Sequence, residues 1–200
     1  LPPRVAPVQA VIVPIPVGNW KETVLPVARQ VLDTLRAAGL RVDLDAREEF
    51  TPGWKFSEYE MRGVPVRIEI GPRDVKAGQA VLVRRDLKSK EVAPLDSLAA
   101  RLPALLDEIQ AVLYRQAGEF VQANTRTASS YEEFKEILEA KRGFIQAPWC
   151  GGEACEDRIK TETMATIRVI PMALDDVPVA GGCVCCGAPG QATALFARAY

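Results

Sequence analysis

Val8-Gln-Ala-Val-Ile-Val-Pro-Ile15 opens the part of the chain that decides its fold, because it is a short, β-branched, almost wholly apolar run. Such a run suits a strand buried on both faces. From Trp20 to Ala38 the apolar residues Val24, Val27, Ala28, Val31, Leu32 and Leu35 recur at helical spacing, and Gly39 supplies the stop. Leu40 to Leu44 then resumes as a strand. Strand, helix and strand with short connections predict a βαβ unit and a mainly parallel sheet, since a parallel return needs a crossover.

Working outward, Phe50-Thr-Pro-Gly-Trp-Lys-Phe56 reads as an aromatic-rich turn leading into a short helix that ends by Arg62, where Gly63-Val-Pro65 breaks it. Val66-Arg-Ile-Glu-Ile70 alternates apolar with charged residues, the period of a strand with one wet face. Gln79 to Arg84 and Lys90 to Pro94 predict a hairpin, and a long amphipathic helix is expected from about Pro94 to Gln122. Ser130-Tyr-Glu-Glu133 has the pattern of a capping box and opens another helix through Ala140. Beyond Gly143 the chain reads as strand-like. The expected organisation is a linker over residues 1–7, an α/β domain over 8–122 with a mixed, mainly parallel sheet flanked by helices, and a small α+β domain over 123–200.

The totals set bounds on function. With 200 residues, 48% of them apolar, the chain can bury proper cores and has room for two small domains. The formal charge is only -1, yet between Trp54 and Lys90 nine Lys or Arg stand against five Asp or Glu, so a balanced total hides a basic window. No run of eighteen apolar residues and no charged-then-apolar leader occurs, which predicts a cytosolic protein with neither membrane nor DNA as partner. Leu1-Pro-Pro-Arg4 carries no initiator methionine and reads as a linker inside a longer polypeptide.

Five cysteines and no histidine mean that any bound metal would be held by thiolates. Cys150 and Cys155 are separated by four residues, Cys183 and Cys186 by two, and both gaps suit the paired ligands of a tetrahedral structural zinc. Buried thiols or a redox pair are the alternatives for a single Cys-x-x-Cys, but four cysteines at paired spacing favour metal. Cys185 and Cys186 are adjacent and cannot easily turn toward one ion, which leaves Cys185 as the free thiol.

Inside the basic window, Arg67 and Glu69 share one face of a strand. Arg73 and Asp74 lie just past its end, and Glu60 lies on the helix before it. The expectation is a charge array on the exposed side of the sheet, flanked by Trp54, Phe56 and Tyr59. Arginine binds guanine O6 and N7 in a bidentate manner, a carboxylate accepts from the donors on the Watson–Crick edge, and aromatic rings stack splayed bases. An ordinary surface lattice of ion pairs suits the same residues.

The run Thr51-Pro-Gly-Trp-Lys-Phe56, then Glu60-Met-Arg-Gly-Val-Pro65, then Arg67-Ile-Glu-Ile-Gly-Pro-Arg-Asp74, resembles the anticodon-binding domain of prolyl-tRNA synthetases, specifically the archaeal and eukaryote-like branch that also occurs in some bacteria. Trp149-Cys150, Cys155-Glu156, Cys183-x-x-Cys186-Gly187 and the ending Phe196-Ala-Arg-Ala-Tyr200 resemble that branch's C-terminal zinc domain. The resemblance covers essentially the whole chain, with motifs in order. It implies recognition of proline tRNA, whose anticodon carries guanine at its second and third letters because proline codons begin with two cytosines. It also implies that Phe56, Glu60, Arg67, Arg73 and Asp74 stand at the anticodon site, with one departure, since some relatives have lysine where Arg73 stands. Catalysis with ATP and Mg would belong to a class II catalytic domain preceding Leu1, in a full enzyme expected to be a homodimer. Tyr200, otherwise an ordinary frayed end, is implied to dock its carboxylate toward that catalytic domain. Two other readings stay open, a free-standing RNA-binding regulatory module and a zinc-stapled protein interaction module.

Overall fold

A computed structural model of the chain describes residues 1–141, 143–172, 179 and 181–198. The chain divides into two compact units, Leu1–Gln116 and Ala117–Tyr200, so the division falls six residues before the expected boundary at 122/123. It lies within a helix, the longest described.

The first unit begins with β1 (Ala10–Pro14), every residue of which is buried, as the apolar run predicts. The expected helix is broken in two, α1 (Trp20–Thr23) and α2 (Leu25–Ala37). Pro26, in the first turn of α2, cannot donate to a continuing ladder, and its fixed φ suits a helix start instead. Then come β2 (Val42–Leu44), α3 (Pro52–Met61), β3 (Val66–Ile70), α4 (Pro72–Ala77), β4 (Gln79–Arg84) and β5 (Lys90–Pro94). A 3₁₀ turn over Leu95–Ser97 leads into α5 (Leu98–Ala123), which starts four residues later than its periodicity suggests.

The strand order is β2-β1-β3-β4-β5. β1 pairs in parallel with β2 and β3, while β3–β4 and β4–β5 are antiparallel. The sheet is therefore evenly mixed rather than mainly parallel. Gly78, at φ +66°, ends α4 after only six residues, and so short a connection cannot carry the chain back for another parallel strand.

One face of the sheet carries Ala10, Ile12, Val66, Ile68, Ile70 and Leu82 and packs with Val31 and Leu35 of α2 and Leu98, Leu102 and Leu105 of α5. Fully burying each such side chain contributes roughly 1.5 to 3 kcal/mol. The opposite face carries Val11 and Val13, which pack with Val64 and with Phe56 and Tyr59 of α3. Residues 1–7, expected as a linker, run along this unit. Pro3 and Ala6 are buried, and the Arg41 guanidinium donates to the Pro3 carbonyl at 3.0 Å and the Ala6 carbonyl at 2.9 Å.

The second unit contains β6 (Thr125–Thr127), α6 (Tyr131–Ala140), β7 (Phe144–Trp149), α7 (Glu153–Thr163), β8 (Ala165–Val169) and β9 (Ala192–Arg198). Its sheet runs β6-β7-β9-β8, parallel in the first pair and antiparallel in the others. Ser130 caps α6, its hydroxyl accepting from Glu133 N–H at 3.2 Å. The Glu133 carboxylate accepts chiefly from the backbone N–H and hydroxyl of Ser129, both at 2.8 Å. Phe134 and Phe196 meet edge to face at 5.3 Å in the centre of this core. The segment after Gly143 is not strand-like throughout, because α7 is helical. The helix opens on the charged run Glu153-Ala-Cys-Glu-Asp-Arg158 and in its whole length buries only Ile159 and Thr163, too few apolar positions to display a helical period.

Candidate nucleic-acid interface and metal centre

Arg67 is the hub of the first constellation. β3 alternates so that Val66, Ile68 and Ile70 enter the main core and Arg67 and Glu69 emerge on the face that α3 covers. That cover corrects the expectation of an exposed array. The Arg67 and Glu69 side chains are only 11% and 13% exposed. The guanidinium carbon lies over the Phe56 ring, 3.9 Å from its centroid. Glu69 Oε1 accepts from Arg67 Nε at 2.9 Å and lies 2.9 Å from Nη2 as an ion pair, and Glu60 Oε1 accepts from Nη1 at 3.4 Å. So the guanidinium is fixed on one face and one edge and only loosely held at its tip.

The two lysines of the β4–β5 hairpin complete the array. Lys88 Nζ stands 3.9 Å from Glu60 Oε2 and Lys90 Nζ 3.7 Å from Glu69 Oε2. Arg85 Nε donates to the Glu60 carbonyl at 2.9 Å, tying the hairpin to the end of α3. The hollow between Tyr59, Glu60, Arg67 and Arg85 is about 10 Å³, room for roughly one water. The constellation is thus a surface suited to an extended ligand, not a pocket that encloses one.

Phe56, Glu60 and Arg67 come together, whereas Arg73 and Asp74 stand apart at the start of α4. A strand rise of about 3.3 Å per residue puts Ile70 roughly 10 Å from Arg67, and α4 begins beyond it. Arg73 is exposed and, among the described residues, makes no hydrogen bond or ion pair. Asp74 is engaged as a cap, Oδ2 accepting from Gly71 N–H at 2.8 Å and Oδ1 standing 3.5 Å from Gln79 Nε2.

A second charged cluster escaped the sequence reading. Asp45, just after β2, is buried beside Lys55, the one fully buried residue of α3. Lys55 Nζ lies 3.4 Å from Asp45 Oδ1 and donates to the carbonyls of Asp45 and Arg47. Arg47 bridges Asp45 and Glu58, and packs against Phe50 and Trp54, whose rings stack at 3.9 Å. Burial alone would raise the Asp45 pKa, but hydrogen bonds from Arg47 and the charge of Lys55 hold it below the ordinary aspartate value. Trp54, read from sequence as a flank of the reading array, belongs to this cluster. The only sequence signal was a lysine at an inward helical position, which periodicity does not mark as charged core.

In the second unit the sulfurs of Cys150, Cys155, Cys183 and Cys186 all lie within 4.8 Å of one another and could hold a metal ion. Cys150 and Cys155 are 3.6 Å apart and Cys186 and Cys150 3.9 Å apart. Cys150 directly follows β7, Cys155 lies in the first turn of α7, and the other two come from a turn in which Gly187 N–H donates to the Cys183 carbonyl at 2.8 Å. Gly187 follows at φ +73°, a conformation that favours glycine. Burial raises the Cys183 thiol, but backbone N–H groups of Cys186, Cys185 and Cys150 outweigh it and lower its pKa to about 7. Cys185 is partly buried against the hydrophobic core beside the cluster, and burial pushes its thiol up although a hydrogen bond with Cys155 acts the other way. Tyr200 lies outside the described residues.

Residues 9–105 match the family described as anticodon binding domain, and residues 131–200 the family described as prolyl-tRNA synthetase, C-terminal. The chain belongs to the prolyl-tRNA synthetase family, as its C-terminal part. The proline–tRNA ligase of Rubrobacter xylanophilus is 53% identical over 200 residues, that of Lachnospira eligens 49% over 203 and that of Natranaerobius thermophilus 46% over 202. Each match covers the whole chain and 41% of the relative, so the chain spans about two fifths of their length. Among the described residues no helix is long and apolar enough to cross a membrane.

Proposed function

We propose that this chain reads the anticodon of proline tRNA for a cytosolic proline–tRNA ligase whose adenylation and transfer chemistry, with ATP and Mg, resides outside it. The observation that carries the reading is the state of Arg67, a guanidinium with one edge locked by Glu69 and a tip weakly held by Glu60. The tip contact at 3.4 Å is the longest of its bonds and the easiest to exchange. A guanine entering there would take the paired Nη donors on O6 and N7 and offer its Watson–Crick donors to Glu60, whose side chain is 41% exposed. Phe56 covers one face of the fork. Arg73, exposed at the start of α4, is the second arginine and stands at a distance that suits a neighbouring nucleotide. Asp74 supports it by capping the helix that carries it.

Lys88 and Lys90 neutralise the carboxylates of the array, which keeps Glu60 and Glu69 from repelling the RNA backbone, and their outer faces remain available to phosphates. The isolated charge lattice is the weaker reading, because Arg67 is desolvated beneath an aromatic ring where a surface lattice would leave it in water. Arg67→Ala is expected to weaken binding of proline tRNA and to lower discrimination against changed anticodons by about 1 to 3 kcal/mol. Unchanged affinities for both tRNAs in a filter-binding titration would refute the assignment.

For the second unit the proposal is one structural zinc on Cys150, Cys155, Cys183 and Cys186. Zinc–sulfur bonds of about 2.3 Å at tetrahedral angles require sulfurs about 3.8 Å apart. The spacings of 3.6 and 3.9 Å fit that requirement. Four thiolates fill the shell, so the ion would staple the fold and leave no position for a substrate. A homodimeric full enzyme and docking of the Tyr200 carboxylate on the catalytic part are the remaining proposals, supported by the family resemblance of the chain's ending.

A further inference from the structure

We infer that Glu69 is a positioning residue that determines specificity by choosing which edge of Arg67 faces the RNA base, an inference that rests on the anticodon reading. A guanidinium carries five N–H donors, and either its side edge, Nε with Nη2, or its end edge, Nη1 with Nη2, can bind two acceptors at once. Glu69 Oε1 occupies the side edge with two contacts of 2.9 Å. The Phe56 ring, 3.9 Å from the guanidinium carbon, covers one face of the group but does not hold either edge. With one face covered and the side edge held, the end edge is the one pair of parallel donors left to meet N7 and O6.

The pair is not an incidental surface bridge. Both side chains are nearly nine-tenths buried on a strand face under α3, so losing the carboxylate frees the guanidinium to swing against the Phe56 ring. A swinging arginine pairs with a phosphate as readily as with a base, and phosphate contacts carry no sequence information. Lys90, 3.7 Å from the second oxygen, would at the same time lose its counter-charge. Removing Glu69 therefore has two effects of opposite sign. Discrimination falls, while sequence-independent attraction to RNA rises.

The test measures the affinity of this chain, unaltered and as Glu69→Gln and Glu69→Ala, for a proline tRNA transcript and for the same transcript with the second anticodon letter changed from guanine to adenine. Thermal melting of each variant is recorded alongside. The expected result is a loss of preference of about tenfold for Glu69→Ala and less for Glu69→Gln, which keeps an acceptor oxygen, with affinity for the adenine transcript equal or increased. A preference that survives both substitutions overturns the inference. So does an equal fall in both affinities with a lowered melting temperature, the mark of a merely structural residue. If the unaltered chain shows no preference at all, the anticodon reading fails, and the role of Glu69 with it.

Discussion

Arg67 and Cys185 show how far single residues could be read before the fold was known. Alternation along Val66-Arg-Ile-Glu-Ile70 placed Arg67 on the face opposite the core, and it is there. What alternation could not show is that α3 packs over that face, so the expected exposed guanidinium is instead held under Phe56. For the cysteines, adjacency argued for leaving Cys185 out of the shared site; it is not among the four sulfurs within 4.8 Å of one another, and its side chain packs at the edge of the hydrophobic core while still hydrogen-bonded to Cys155. Cys185→Ser should therefore retain one zinc per chain by atomic emission. Cys183→Ser, which removes a buried ligand, should bring the content well below one and abolish the cooperative melting of the second unit, as expected where metal binding is folding energy. Equal zinc in both variants would contradict the assignment of ligands.

At the scale of elements, α3 is the part on which the proposed reading surface depends, since it contributes both Phe56 and Glu60. Thr51 caps it, accepting from Trp54 N–H at 3.3 Å, and its inner side is anchored by Lys55 on buried Asp45. Breaking a buried pair by removing one partner leaves an uncompensated charge and costs about 3 to 5 kcal/mol. Asp45→Ala should destabilise the first unit by that amount in denaturant titration. The pH dependence has a defined sign. Because the native pKa of Asp45 is depressed, its contribution is complete above the ordinary aspartate value of about 4 and is lost as pH falls through the lower native value. The acid limb of the stability curve should be shallower in Asp45→Asn, and an unchanged limb would show that the cluster does not carry α3. This anchor was illegible in the sequence because hydropathy assigns every lysine to the surface. α4 and α7 were missed for a related reason. Arg73-Asp-Val-Lys76 and Glu153-Ala-Cys-Glu-Asp-Arg158 are short or polar helices whose few buried positions carry no period.

Across the whole molecule, the opening βαβ pattern and the cysteine spacing made the order of the two units legible, because each depends on local signals. The antiparallel half of the first sheet follows from a connection too short for a crossover, and such a length matters only once α4 is recognised as a six-residue helix. The division at Gln116 lies inside continuous helix, where no change of composition marks it. Each unit has its own core and its own chemistry, a guanidinium and carboxylate surface in one and a four-cysteine cluster in the other. The central claim is that the first of these distinguishes an RNA by two guanines. Its most direct measurement is the equilibrium affinity of the unaltered chain, at a fixed near-physiological salt concentration, for proline tRNA and for that tRNA with both guanines of the anticodon replaced by adenine. The account predicts a preference of at least about tenfold for the natural anticodon, since each lost bidentate pair is worth about 1 to 3 kcal/mol, whereas equal affinities would contradict it.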